Sequence, residues 1–286
     1  MPEPIRYCFE RYEKKYLLTE EQKEHLLTRM RPHLTADAYG EYTILNTYYD
    51  TDDFLLIRTS LEKPVYKEKL RVRGYGTTGD VAGAATGNAS SEGDTGKAAG
   101  NTPEAPSGSV PECAKGNSDV SPRTVFVELK KKFSGVVYKR RITVCADAAE
   151  PFLAGEAPDA AYGQIGREIS WFQSFYHTSP KVFIGYDRQA FAGTGDPGLR
   201  ITFDRNLRGR TENVLLTAGD GGDPILPDDR ILMEIKLPGV CPLWLGALLS
   251  DEGIFETSFS KYGTFYQQYI LSDKIPNSEK GAFLFA

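Results

Sequence analysis

The chain has 286 residues, 40% of them hydrophobic and 26% charged, and a formal net charge of −5. That length suffices for a sizeable core, the acidic balance argues against non-specific nucleic-acid binding, and no apolar run is long enough to cross a bilayer. Four cysteines (Cys8, Cys113, Cys145, Cys241) lie far apart and read as reduced core or loop residues, while three histidines in no ligand pattern give a zinc centre no support.

Residues 7–17, YCFERYEKKYL, enter a strand pattern at once and leave no room for a signal peptide. Phe9, Arg11, Glu13, Lys15 and Leu17 share one side of it, with Tyr12 and Tyr16 on the other. Thr19 with Gln22 three residues on is a capping-box pair, opening a helix that carries Leu26, Leu27, Met30 and Leu34 and ends near 32–34. Residues 43–50, TILNTYYD, form a second strand, 50–53 a turn, and 54–61 lead onward. The strand at 65–73, VYKEKLRVR, sets Lys67, Lys69, Arg71 and Arg73 on one face. Tyr66, Leu70 and Val72 face the other way, with Glu68 as the charged exception.

From about 75 to 123 Gly, Ala, Ser, Thr, Asn and Pro dominate, and such a segment buries too little apolar surface to offset the entropy of ordering it. It reads as a disordered low-complexity insertion between two strands of one domain, because loop closure grows costlier only slowly with length. Residues 124–132, TVFVELKKK, a Ser134-Gly135 turn and 136–145, VVYKRRITVC, make a hairpin. Its arms align Phe126, Glu128, Lys130 and Lys132 on one face, and Val137, Lys139, Arg141 and Thr143 on the other arm's equivalent. A Pro/Gly/Ala-rich link precedes a helix over 166–177 with an apolar stripe of Ile169, Phe172, Phe175 and Tyr176. Strands follow at 181–191 (Ile184, Tyr186, Arg188 together), 198–205 (Arg200, Thr202, Asp204 together) and 230–237 (Leu232, Glu234, Lys236 together). Helices near 242–250 and 261–271 close the chain, with Ser258, Ser260 and Lys261 at the start of the last.

Roughly eight alternating strands is the size at which a sheet closes into a barrel with a modest interior. Most of these strands carry charge on one face and aliphatic or aromatic residues on the other, and helices are available to cover the apolar side. The expected fold is therefore α+β, an antiparallel eight-stranded β-barrel with its charged face inward and flanking helices. Cations outnumber carboxylates on that face, so the hollow needs water and a highly charged anion. Mixed arginine and lysine suit oligophosphate, and the few carboxylates suit a divalent cation. A sandwich with one charged, solvated face is the competing arrangement.

Taken as an ordered set, FERYEKKYLL, NTYYDTDD, KLRVR, VELKKK, YKRRITV, IGYDRQAF, LRITFD, LMEIKL and FSKYGTFY resemble the triphosphate tunnel metalloenzymes of the CYTH-like superfamily. They are most similar to the vacuolar transporter chaperone (VTC) domain, a polyphosphate polymerase. The resemblance implies a single tunnel domain over 1–286 and an ATP:polyphosphate phosphotransferase, dependent on Mn2+ or Mg2+. It implies that Lys15, Arg71, Arg73, Lys130, Lys139, Arg141, Arg188, Arg200 and Lys261 act on the phosphates. Lys69, Tyr186, Lys236 and Ser260 would bind substrate, and Glu234, with Glu128 and Glu13, would hold the metal. Arg11 stands where the superfamily's first strand has a glutamate, and Ser258 where the eukaryotic polymerases have a lysine. The implied partners are ATP and inorganic polyphosphate, without nucleic acid, in a cytoplasmic protein beside a separate membrane protein. A tripolyphosphatase or nucleoside triphosphatase, and a non-catalytic polyphosphate-binding module of a membrane assembly, use the same residues and stay open.

Overall fold

The structure is a computed structural model that describes residues 12–77, 124–156, 159–196 and 198–272. Arg11, Cys8, Cys113 and most of the insertion expected at about 75–123 lie outside the described residues, and 75–77 extend the preceding strand.

Alternation of the side chains yields one antiparallel sheet. Its strands are β1 (Tyr12–Thr19), β2 (Leu34–Asp50), β3 (Tyr66–Thr77), β4 (Thr124–Phe133), β5 (Val136–Cys145), β6 (Ser179–Gly193), β7 (Arg200–Arg210), the short β8 (Asp223–Pro224) and β9 (Arg230–Leu237). They are ordered β1-β9-β7-β6-β2-β3-β4-β5, with β8 on β7. The fold is α+β as expected, but the ring of main-chain hydrogen bonds is open. Among the described residues β1 and β5 remain edges that do not pair with each other. The sheet nonetheless curls. Lys130 on β4 experiences the charges of Glu13 on β1 and Glu234 on β9, which lie several strands away along the ladder.

Covering helices decide which face is convex. Helices α1 (Glu20–Met30) and α5 (Leu243–Asp251) bury Leu26, Met30, Leu245 and Leu249 against Tyr16, Leu18, Ile201, Phe203, Ile231, Met233 and Ile235. Helices α3 (Ala146–Leu153) and α4 (Gly163–Tyr176) do the same with Phe152, Ile169 and Phe172 against Leu70, Val72, Val127, Leu129 and Ile142. Each such side chain contributes about 1.5–3 kcal/mol when fully buried. The alternate, charged positions are left on the concave face.

Local chemistry explains most boundaries. Thr19 and Gln22 form the expected capping box at α1, Gln22 N donating to Thr19 Oγ1 at 3.2 Å and Thr19 N to Gln22 Oε1 at 3.0 Å. Ser134 and Gly135 turn the β4–β5 hairpin with φ of 46° and 88°, the pair of positive values a tight hairpin favours. Residues 54–61, read from the sequence only as the lead into the cationic strand, form helix α2 (Leu55–Leu61). Phe54 starts it in the left-handed region, and the Asp50 carboxylate accepts from Leu56 N at 2.9 Å and Ile57 N at 3.0 Å. The link after β5 is helix α3 despite its internal Pro151, because Ala149, Phe152 and Leu153 pack on the sheet. Cys145 is disulfide-bonded, against the expectation of reduced thiols, whereas Cys241 is free.

The last helix, α6 (Lys261–Phe265), runs on as a π-helix through Tyr266–Leu271 and packs on the concave side. There the inward positions change from polar to apolar along each strand: Lys15 to Leu17, Arg188 to Ile184, Asp204 to Leu207, and Glu234 to Leu232. Tyr262, Phe265, Tyr266 and Ile270 cover that apolar end. A Cβ on Gly209 would lie 2.6 Å from the Phe265 ring, so β7 needs glycine at this crossing. Asp50 also accepts the Tyr262 hydroxyl at 2.9 Å and so ties α2 to α6. Replacing Asp50 by Ala leaves two helix N–H groups and this hydroxyl unpaired. Urea unfolding should show a loss of about 2–3 kcal/mol, with a smaller loss for Asp50→Asn.

Candidate anion-binding hollow

Directly opposed residues of an antiparallel pair project to the same side of the sheet. The registers set Glu13 against Lys236, Lys15 against Glu234, Lys236 against Arg200 and Arg188 against Asp204. On the other half they set Ile44 against Tyr186, Asn46 against Arg73, Tyr48 against Arg71, Arg71 against Glu128, Glu128 against Arg141, and Lys130 against both Lys69 and Lys139. All the strand residues singled out from the sequence thus occupy one concave surface. Lys261 and Ser260 reach it from α6.

Two carboxylate hubs organise this surface. Glu128 is almost wholly buried and accepts from Arg71 Nε at 2.9 Å, Arg71 Nη2 at 2.7 Å and Arg141 Nε at 2.7 Å. Lys139 Nζ lies 2.7 Å and Arg73 Nη1 3.9 Å from the same group. Burial alone would raise the Glu128 carboxyl, but Arg71, Arg73 and Lys139 outweigh it and hold it well below the usual carboxylate range. The second hub is a pair. Glu234 accepts from Lys261 at 2.9 Å and Arg188 at 3.3 Å, with Lys15 at 3.6 Å. Asp204, fully buried, takes Arg188 as a two-pronged fork at 2.6 and 2.7 Å and Lys261 at 2.6 Å. Burial opposes the charge on Glu234 too, yet Lys261, Lys15 and Arg188 keep it ionised.

Tyr186 bridges the hubs. Its hydroxyl accepts from Arg73 Nη2 at 3.4 Å, while Lys261 Nζ and the Arg188 guanidinium lie 4.5 and 5.2 Å from its ring centre. Ser260 caps α6 by accepting from Gly263 N at 3.2 Å, and its Oγ also accepts from Lys69 Nζ at 3.3 Å. The sequence counts Asp204 among the carboxylates that suit a divalent cation, whereas the structure engages it with Arg188 and Lys261. Asn46 and Tyr48 had no role in that reading. Asn46 accepts from Arg73 Nε at 3.0 Å and Tyr48 from Arg71 Nη1 at 3.2 Å. Asp204 had a legible signal, the alternation with Arg200 and Thr202.

Several cations have no carboxylate within 4 Å among the described residues: Lys67, Lys69, Lys130, Lys132, Lys236 and Arg200. Burial pushes Lys69 down to about 7, helped by Lys130, Lys67, Lys15 and Arg71. Lys236 and Lys130 are also lowered, with desolvation the largest cause in each. Lysines lowered together in this way mark a surface that a bound anion would relieve.

The expected metal ligands do not all converge. Glu13 sits beside Lys15 at 3.4 Å and close enough to Glu234 for the two carboxylates to repel, whereas Glu128 belongs to the other hub with its oxygens already engaged. No three His, Cys, Asp or Glu side chains gather as a ligand group among the described residues. Glu13 with Glu234 does fit a hard divalent cation, since two mutually repelling carboxylates leave the remaining coordination to water and phosphate oxygens. A cleft of about 380 Å3 lies on the convex side, lined by Tyr49, Val72, Val125 and the carboxylates Asp147 and Glu150, and its acidity makes it no rival as an anion site.

The VTC domain family model matches residues 10–89 and 115–270. A search of curated proteins returns no match. Among solved structures, the chain is similar to a candidate adenylate cyclase from Bacillus halodurans at 12% identity, covering 92% of this chain and 99% of that one with a TM-score of 0.45. It is similar to a candidate adenylyl cyclase from Hippeastrum, described as having a dominant triphosphatase activity, at 12% identity over 89% and 94% of the two chains with a TM-score of 0.43.

Two outcomes follow from the charge imbalance. An oligophosphate should re-protonate Lys69, so affinity for tripolyphosphate falls as pH rises through about 7 and binding takes up protons. Calorimetry in two buffers of different ionisation enthalpy reads the uptake, which Lys69→Met should lose while melting higher than the wild type without ligand. Glu128→Gln strands the cations around it and should cost on the order of 3 kcal/mol, with tripolyphosphate restoring more thermal stability than it adds to the wild type.

Proposed function

The chain belongs to the VTC domain family, and from that premise we propose that it is a metal-dependent polyphosphate polymerase. In this reading the terminal phosphoryl group of ATP passes to a growing inorganic polyphosphate chain inside the basic hollow. The observation that carries it is the row of uncompensated cations between the two hubs, Lys69, Lys130 and Lys236, beside arginines already held in fixed orientation. A single phosphate needs few such contacts. A chain of phosphates uses all of them.

Phosphoryl transfer asks a protein for positioning and charge neutralisation rather than covalent chemistry. Arg188, Arg200, Lys236, Lys261 and Lys15 would hold phosphates near Glu234. Arg71, Arg73, Lys130, Lys139 and Arg141 would hold them near Glu128. Glu128 and Asp204 then act as fixed counter-ions that orient guanidinium forks before substrate arrives, which lowers the ordering cost of binding. Lys69 and Ser260 meet at the start of α6 and would contact an intermediate phosphate, with Tyr186 packed beneath the cations. Glu234 and Glu13 would hold Mn2+ or Mg2+, which would supply positive charge to offset the negative charge developing on the transferring group. Lys261 and Arg188 are also paired with Asp204, so they would keep a partner with Glu234 engaged by the ion.

Incubation of the full chain with ATP and Mn2+, with products sized on a polyacrylamide gel, tests the reading. Long chains are expected. Orthophosphate alone would make the protein a triphosphatase, and tight binding without turnover would make it a binding module. Glu234→Gln and Arg71→Ala should each lower turnover at least about a hundredfold with the fold retained, and chelation of the divalent ion should abolish it.

A further inference from the structure

The cations of the concave face give way to aromatic rings at the end away from α6. On β3 the inward series runs Arg71, Arg73, Tyr75, and on β4 the inward residue next to Glu128 is Phe126, which opposes Arg73. On β2, Tyr42 opposes Arg188, and the next inward residue, Ile44, opposes both Tyr75 and Tyr186. Tyr42, Tyr75 and Phe126 therefore share the face of the phosphate-facing cations. Their rings make one row. Ring centres of Tyr42 and Tyr75 lie 6.1 Å apart and those of Tyr75 and Phe126 5.8 Å, while Tyr39 extends the row 6.2 Å beyond Tyr42. At the other end the Arg141 guanidinium sits 4.5 Å from the Phe126 ring centre and joins the row to the Glu128 hub.

Internal packing leaves these rings only partly used. Tyr48, at the α6 end of the same face, lies flat against Tyr262 with centres 4.8 Å apart. The rings of the row meet at angles between 52° and 79° instead, so they do not stack on one another. Tyr39 and Tyr75 are 81% and 41% exposed, and neither Tyr75 nor Phe126 joins a core cluster among the described residues. Phosphate is the wrong occupant for this row, because an aromatic face carries partial negative charge and neutralises nothing. A flat, weakly charged group covalently joined to the phosphates held by Arg73 and Arg188 suits both surfaces at once. A nucleobase is such a group, and bases of any identity stack on aromatic side chains.

We propose that Tyr42, Tyr75 and Phe126 form the platform on which the base of the donor nucleoside triphosphate stacks. The assignment rests on the triphosphate reading of the hollow and adds where the nucleoside lies, at the mouth away from α6 with its phosphates inward. Calorimetry on the full chain with the divalent ion chelated reads binding apart from turnover. ATP is compared with methyl triphosphate, which carries the same charged monoester without a base. ATP should bind the wild type at least about fivefold more tightly. Tyr75→Ala should lose most of that preference and Tyr42→Ala part of it, whereas Tyr75→Phe should keep it. The 5′-triphosphate of 2-aminopurine riboside should lose fluorescence on binding the wild type and retain it with Tyr75→Ala. Equal binding of ATP and methyl triphosphate by the wild type would overturn the proposal. So would alanine variants that leave the preference intact or weaken both ligands alike, as a purely structural role requires. If neither ligand binds the wild type, the hollow is not a triphosphate site and the assignment falls with that reading.

Discussion

Repulsion among the cations of the concave face is the force that the rest of this molecule is arranged around. Lys67, Lys69, Lys130 and Lys132 come from adjacent strands with nothing acidic between them, and Lys15, Arg71 and Lys236 add to the same field. In an open sheet facing water such a surface would be screened and cheap. Curled inward it is neither, and the depressed lysines record the cost. What keeps the curl is the apolar packing of the convex side, where two helix pairs bury two clusters of aliphatic and aromatic residues. The stability held there offsets a functional surface that is strained without its ligand.

The hubs divide the remaining work. Glu128 draws in arginines from β3 and β5, and Asp204 with Glu234 draws in Arg188 and Lys261 from β6 and α6. Each hub fixes guanidinium or ammonium groups that would otherwise sample many rotamers. The lysines between them have no carboxylate within 4 Å among the described residues. Rigid forks at the flanks with adaptable point charges in the middle suit a repeating anion better than a compact one. The contribution of α6 is geometric, since Phe265 lies against Gly209 and brings Lys261 to both carboxylates while Ser260 meets Lys69.

Much of this could be read from the chain. Period-two alternation in VYKEKLRVR, RILMEIKL and VVYKRRITVC separates the two faces because a strand leaves no third option for a side chain. The capping box at Thr19 and the Ser134-Gly135 turn are local chemistry and are found as expected. Elements that depend on distant partners were not legible. Helix α2 starts on Asp50, which the distant Tyr262 hydroxyl also holds, and α3 tolerates Pro151 because of the sheet beneath it. Glu128 and Glu234 looked equivalent in sequence, each an acid alternating with lysines.

Sequence alone therefore settled which residues share a face, because that follows from backbone geometry within a few residues. It could not settle what lies across the hollow. Whether Glu128 meets Glu234 or a cage of arginines depends on how far the sheet curls and where its edges stop. That is set by packing between segments more than a hundred residues apart along the chain. Only the tertiary structure separates the two acids into different hubs, leaves β1 and β5 unpaired, and places the acid Glu13 rather than Glu128 beside Glu234.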